Sequence, residues 1–274
     1  MDAVQVQVNI YEAKRIEFEK FRVKFKEEDK TRFDYWKRME FSLDQWKLLK
    51  QRCGERGVEF LASPFSNAAV DLLEEVGVKR YKVGSGEINN FLLLEKIGKT
   101  GKPVIISSGM SSIEELNGTV EFLKKRKMEF SILQCTTAYP TKPQDYGLNV
   151  IKELKDHFKV PVGYSDHSAR PETCIAATAL GAEILEFHAV FDRRSIGPDA
   201  TSSLDIDEIK NLVQAVKNIE TSLQHPVDKS DNYRYSDLKN IFEKSLAINK
   251  DLPAGYKLTF QDLEAKKPKG HGIK

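Results

Sequence analysis

The chain is poor in the residues that would set it outside an ordinary globular class. Its three cysteines, Cys53, Cys135 and Cys174, among 274 residues form no C-x-x-C pair and leave one over from any pairing. No disulfide framework or thiolate zinc site is therefore written into it. Long apolar runs are missing as well. A stretch such as Phe91-Leu92-Leu93-Leu94 falls far short of the roughly 18 residues a membrane span requires, and no charged stretch followed by an apolar one opens the chain as in a secretory leader. Neither sign of charge dominates: 43 basic and 41 acidic side chains leave a formal net charge of +2, which excludes a nucleic-acid binder working through bulk charge. The sequence also lacks G-x-S-x-G, the phosphate-binding P-loop sequence and a G-x-G-x-x-G that opens a helix. Serine-hydrolase, P-loop and dinucleotide readings go with them. Together these absences predict a protein of the reducing cytosol with neither nucleic-acid nor membrane partners.

What is present is rhythm. Hydrophobic residues make up 40% and charged residues 31% of the chain, and from residue 58 onward short apolar runs alternate with amphipathic stretches of helical period. That alternation is the mark of repeated βα units and a parallel sheet. Strands are predicted at Val58 to Ala62, Arg80 to Val83, Pro103 to Ser107, Glu129 to Cys135, Val160 to Tyr164 and Glu183 to His188, and Val4 to Ile10 alternates at period two as a seventh. Ser42-Leu43-Asp44-Gln45 and Ser112-Ile113-Glu114-Glu115 read as capping boxes. Gly57, Gly77 and Gly181 stand where a left-handed residue would stop a helix. The spacing, about 32 residues per unit, suits one βα repeat, and the fold expected is α/β, a TIM-type (β/α) barrel with seven βα units, one short of closure.

Two stretches break the rhythm. Residues 13 to 40 are dense in charge and aromatics (Phe18, Phe21, Phe25, Phe33, Tyr35, Trp36), and read either as a loop built over the active face or as a solvated charged helix. Residues 223 to 274 carry Asp231-Asn232-Tyr233-Arg234-Tyr235 and end in a basic tail. The domains expected are therefore a barrel over 1–222 and, over 223–274, a linker with the start of something further.

In such a barrel the reactive groups collect at the C-terminal ends of the strands. There the sequence places Ser63-Pro64, Lys82-Val83-Gly84-Ser85-Gly86-Glu87, Ser107-Ser108-Gly109-Met110, Gln134-Cys135-Thr136-Thr137, Ser165-Asp166-His167 and Glu186-Phe187-His188. Small hydroxyls and glycines beside one lysine describe an oxyanion or phosphate cradle, although the same residues also serve as plain turns. His167 and His188 close consecutive strands, so their imidazoles converge on one divalent cation, with Asp166 as a further oxygen ligand or a supporting partner. Cys135, on an apolar strand, reads as a buried inert thiol. Cys53 and Cys174 read as helix-face residues, and His157, His225 and His271 carry no chemistry.

These strand ends, with Asn89-Asn90, Tyr139-Pro140 and Gly197-Pro198-Asp199, closely resemble the sialic acid synthase family, the N-acetylneuraminate synthases, in order and spacing over nearly the whole chain. The resemblance implies an enzyme that condenses phosphoenolpyruvate with an N-acetylated amino sugar, N-acetylmannosamine or its 6-phosphate, and releases phosphate. It implies a divalent metal, Mn2+ or Mg2+, held by His167 and His188 to polarise the sugar aldehyde. Lys82, Ser85, Ser107 and Ser165 match the phosphoenolpyruvate-binding positions, while Glu87, Thr137 and Tyr139 match those that hold the sugar; Glu87 is carried over with the two histidines as catalytic, and Gln7 as substrate-binding. The enol carbon would attack the aldehyde carbon, water would add to the resulting oxocarbenium, and phosphate would leave with its carbon–oxygen bond broken.

This chain departs from the family in four places. The family's first strand and helix precede the point matched by Met1, so the first βα unit is expected to be missing. Gln5-Val6-Gln7 stands where the family has Lys-Phe-Gln, and Phe187 where it has Lys or Arg. The C-terminal antifreeze-like domain, which in the homodimeric family reaches into the partner's site, is matched only in its opening segment. A synthase for legionaminic or pseudaminic acid, or a non-catalytic member binding sugar phosphate or metal, fits the same residues.

Overall fold

The computed structural model describes residues 3–8, 28–195, 197–231 and 233–270. Met1–Leu223 form one compact unit and Gln224–Lys274 a second.

In the first unit, strands β1 (Ala3–Val8), β2 (Glu59–Pro64), β3 (Tyr81–Val83), β4 (Val104–Ser107), β5 (Phe130–Cys135), β6 (Val162–Asp166), β7 (Leu185–Ala189) and β8 (Ser203–Leu204) lie side by side in chain order. Every pairing between them is parallel. Helices α1 (Arg32–Met39), α2 (Leu43–Glu55), α3 (Asn67–Val76), α4 (Phe91–Gly98), α5 (Ile113–Lys125), α6 (Asn149–Phe158), α7 (Pro171–Ala179) and α8 (Ile206–Gln224) alternate with them. The result is a curled parallel sheet in a TIM-like α/β fold. The expected seventh strand is formed by Ala3–Val8; Asn9 and Ile10 lie outside the described residues, as does the 13 to 40 segment as far as residue 27. From residue 28 that segment carries helix α1, capped by Thr31.

The eighth strand escaped the sequence reading. Only two residues long, it pairs His188 with Ser203 and Ala189 with Leu204, so the Glu183 to His188 strand is not a bare edge. Among the described residues no pairing joins β1 to β8. Other expectations fall into place: Ser42 and Ser112 cap α2 and α5 in full capping boxes, and Gly77 ends α3 at φ 81°, a left-handed conformation that glycine adopts without a Cβ penalty.

Strand alternation divides the sheet's two faces. Tyr81, Val83, Val104, Ile106, Phe130, Ile132, Val162 and Tyr164 pack with Leu73, Leu94, Ile97, Leu116, Leu123 and Leu154 of the helices in the main core. The intervening residues share the opposite, inner face, where Leu61, Ile105 and Leu133 form a small cluster of their own. Register lines up this face, with Lys82 opposite Ile105, Ser107 opposite Leu133, Cys135 opposite Ser165 and Ser165 opposite Glu186.

Gly163 is where that inner face closes most tightly. A Cβ there would lie 2.6 Å from Leu133 Cδ2 and 2.7 Å from Ile184 Cβ, and nearer still to the Ile184 carbonyl oxygen. That carbonyl accepts the Tyr164 amide at 2.8 Å and cannot retreat without loosening the ladder. Gly163→Ala is expected to cost about 1–3 kcal/mol or more in a denaturant titration; an unchanged midpoint would show that the strands can part.

In the second unit, α9 (Ser236–Phe242) precedes an antiparallel pair, β9 (Ser245–Ile248) and β10 (Leu263–Lys266). Its buried acid, Asp262, accepts from the Thr259 amide and hydroxyl at 2.9 and 2.7 Å and pairs with Lys250 at 2.6 Å.

Candidate functional site at the strand ends

The inner face carries apolar side chains midway along the strands and polar ones at their C-terminal ends. Lys82, on the short strand β3, is only 4% exposed, and its Nζ lies 3.4 Å from Glu186 Oε2 on β7. A buried ammonium needs such a counter-ion. Glu186 stands two residues before His188 and so shares its face; that parity is the signal by which the sequence could have disclosed it.

Ser107 closes β4 with a buried hydroxyl that has no hydrogen-bond partner among the described residues. Buried polar atoms are nearly always satisfied, so an unpartnered hydroxyl on the lysine's face suits an oxygen of a bound anion. Ser85 lies in the turn after β3, where its Oγ accepts from the Gly109 amide at 3.1 Å. Cys135 links these groups, because its Sγ lies 3.8 Å from Ser85 Oγ and 3.9 Å from His167 Nδ1 and it stands opposite Ser165 in register. Burial pushes the Cys135 thiol up from its ordinary value, so it stays protonated, in keeping with the inert thiol expected. Cys53 lies on α2 and Cys174 on α7.

The two histidines meet. Their ring centroids are 5.1 Å apart, and the Tyr139 ring lies 4.3 Å from His167 and 5.8 Å from His188. His167 Nδ1 is 3.1 Å from the Thr136 carbonyl oxygen. A carbonyl can only accept, so Nδ1 carries the proton and Nε2 the lone pair. Burial, reinforced by His188, lowers the His167 pKa to about 4 and keeps the ring neutral at physiological pH. His188 Nδ1 lies 3.6 Å from Asp199 Oδ2. The His167 imidazole, anchored through Nδ1, presents the donor set of a metal-binding histidine, and with His188 beside it the pair fits two positions of a divalent cation. Among the described residues no group of three or more His, Cys, Asp and Glu side chains is placed to hold a metal, so the remaining ligands would come from substrate or water.

Asp166 does not join them. Strand alternation turns it to the outer face, where its Oδ2 accepts from the Ser168 amide and hydroxyl at 3.2 and 2.9 Å, and burial raises its pKa. Its Oδ2 thus braces the loop into α7, while the carboxylate stays within electrostatic reach of His188. Glu87 is half-buried in the turn after β3 and accepts from Asn90 Nδ2 at 2.8 Å. Thr137 is exposed and lies against Gly109. Gln7 stands in register with Ser63. His157, on α6, meets Asn117 Oδ1 at 2.8 Å, away from the site.

Residues 1–228 match the NeuB family. The chain belongs to that family. The N-acetylneuraminate-9-phosphate synthase of Mus musculus is 38% identical over 245 residues, covering 88% of this chain and 68% of that protein. The N,N'-diacetyllegionaminic acid synthase of Campylobacter jejuni is 33% identical over 251 residues, covering 90% of this chain and 75% of its own length. In three dimensions the N-acetylneuraminic acid (sialic acid) synthetase of Leptospira borgpetersenii superposes with a TM-score of 0.69 at 34% identity, covering 74% of this chain and 71% of that one. As a NeuB family member the chain is of the sialic acid synthase type. No helix among the described residues is long and apolar enough to cross a membrane.

Proposed function

We propose that the chain joins phosphoenolpyruvate to the aldehyde form of an N-acetylated amino sugar, N-acetylmannosamine or its 6-phosphate, with release of phosphate. The observation that carries this reading is the inner face itself, where a buried lysine and three serines stand beside two paired histidines. Lys82 supplies the positive charge for phosphoenolpyruvate, and the Ser85, Ser107 and Ser165 hydroxyls donate to its oxygens. Glu186, 3.4 Å away, holds the Lys82 amine in place for the substrate. Tyr139, against both imidazoles, gives the sugar a flat wall, with Thr137, Glu87 and Gln7 as its further polar contacts. His167 and His188 would hold the Mn2+ or Mg2+ ion, which when bound supplies Lewis-acid polarisation of the aldehyde oxygen. As the phosphate departs with its carbon–oxygen bond broken, Lys82 offsets its growing charge. Residues 224–274 suit the opening of the family's antifreeze-like domain, and a cytosolic homodimer is the assembly this reading carries with it.

The similarity to a legionaminic acid synthase favours a second reading, the same condensation with a diacetylated sugar. One experiment separates them. The chain is incubated with Mn2+, phosphoenolpyruvate labelled with 18O in the bridging position and each candidate sugar in turn, and phosphate and product are followed by mass spectrometry. The expected outcome is labelled phosphate and a nine-carbon acid from N-acetylmannosamine or its 6-phosphate. Product from the diacetylated sugar alone would select the second reading. Phosphoenolpyruvate binding without product from any sugar would mark a non-catalytic member.

A further inference from the structure

Gly109, in the turn after β4, bears no role in the reading above, yet three side chains from the flanking strand ends crowd over it, Ser85 after β3, Cys135 at the end of β5 and Thr137 just beyond it. A Cβ on Gly109 would lie 2.7 Å from Ser85 Oγ and 2.9 Å from Cys135 Sγ, and closer still to Thr137 Oγ1. Its φ is not among the left-handed ones, so the backbone would accept alanine. Glycine is required here for space alone.

The hydrogen bonds say what that space serves. The Gly109 amide donates to Ser85 Oγ at 3.1 Å, which occupies the oxygen as an acceptor and leaves the hydroxyl one proton to give. That proton goes to Cys135 Sγ at 3.8 Å. Sulfur is a weak acceptor, and a contact of that length holds the proton loosely.

We propose that Gly109 and Cys135 are positioning residues that keep the Ser85 hydroxyl ready as a donor. The amide fixes its oxygen, and the thiol parks its proton where an oxygen of an anionic substrate can take it at little cost. This rests on the reading of Ser85 as a phosphoenolpyruvate contact. The thiol is therefore chosen for the weakness of its bond: a stronger acceptor at position 135 would compete with the substrate for the same proton.

The test measures phosphoenolpyruvate binding by calorimetry and steady-state KM and kcat on the full chain. Ser85→Ala should weaken binding about tenfold, the worth of one hydrogen bond to a charged group. Gly109→Ala should do the same, raising KM with kcat within about threefold, and in the double variant it should add nothing beyond Ser85→Ala. Cys135→Ser, which supplies a stronger acceptor, should bind phosphoenolpyruvate more weakly than Cys135→Ala, and this pair decides the matter even if Gly109→Ala does not fold. Equal affinity in the two Cys135 variants, or additive losses from Gly109→Ala and Ser85→Ala, would overturn the proposal. An unchanged Ser85→Ala would instead overturn the assignment of Ser85 to the anion, which distinguishes the two failures.

Discussion

His167→Ala and His188→Ala are each expected to strip the protein of its divalent metal after dialysis and to abolish product formation, while His157→Ala retains both. The two rings stand 5.1 Å apart, and each would contribute one nitrogen to the proposed site, where no group of three or more His, Cys, Asp and Glu side chains among the described residues is placed to hold a metal. Removing one of only two protein ligands should weaken metal binding by more than the about ten- to hundredfold that losing a mere supporting group costs. Metal content by elemental analysis decides it, and equal retention in all three variants would remove the site. His167 also sets a pH dependence that can be read with chelator present. Its folded pKa, about 4, lies below the 6.5 of a free imidazole, so on acidification the unfolded chain takes up this proton before the folded one. The penalty is absent above pH 6.5, grows as the pH falls, and is complete below about 4, where it amounts to about 3 kcal/mol. His167→Gln should flatten that part of the stability profile. A wild-type profile already flat between pH 6.5 and 4 would mean that the ring is not held neutral.

The strands were legible because burial on the helix-facing side writes a run of apolar residues. Their ends were not, because backbone pairing continues past the last apolar side chain: Val58 to Ala62 was expected and Glu59–Pro64 is formed, while β6 extends to Asp166 rather than stopping at Tyr164. Ser203–Leu204 left no readable period at two residues. In the site, Lys82, the serines and the histidines stood out as polar residues following apolar runs. Asp166, read as a further ligand or supporting partner of the metal, gives its Oδ2 to Ser168, a contact two residues on that its place beside His167 did not disclose. Glu186 was named at its strand end but given no role: its parity with His188 placed it on the inner face, whereas its pairing with Lys82, four strands away, is written nowhere locally. The hub role of Cys135 is likewise a property of three dimensions, since its partners Ser85 and His167 stand 50 and 32 residues distant.

The Lys82 and Glu186 pair allows structure and binding to be separated by two substitutions of opposite effect. Their side chains are 5% and 20% exposed, so the pair is mostly shielded from water. Lys82→Met leaves the Glu186 carboxylate facing an apolar chain. Breaking a buried pair from one side costs about 3–5 kcal/mol, and the residual exposure of Glu186 places the expected loss at the lower end. It also removes the only cation proposed to meet phosphoenolpyruvate, and should weaken that ligand by about ten- to a hundredfold, the worth of one charge-assisted hydrogen bond. Glu186→Gln acts in the other direction on the ligand. The lysine loses its resident anion, so the incoming phosphate or carboxylate no longer competes with a carboxylate for it, and phosphoenolpyruvate should bind more tightly even though the free protein is destabilised. In Lys82→Met with Glu186→Gln neither charge is left unpaired, and stability should return toward wild type while phosphoenolpyruvate binding stays lost. Calorimetry and a denaturant titration on the four proteins check this together. Recovery of binding along with stability in the double variant would show that Lys82 serves the fold alone, and the anion would then have to be held by the serines without it.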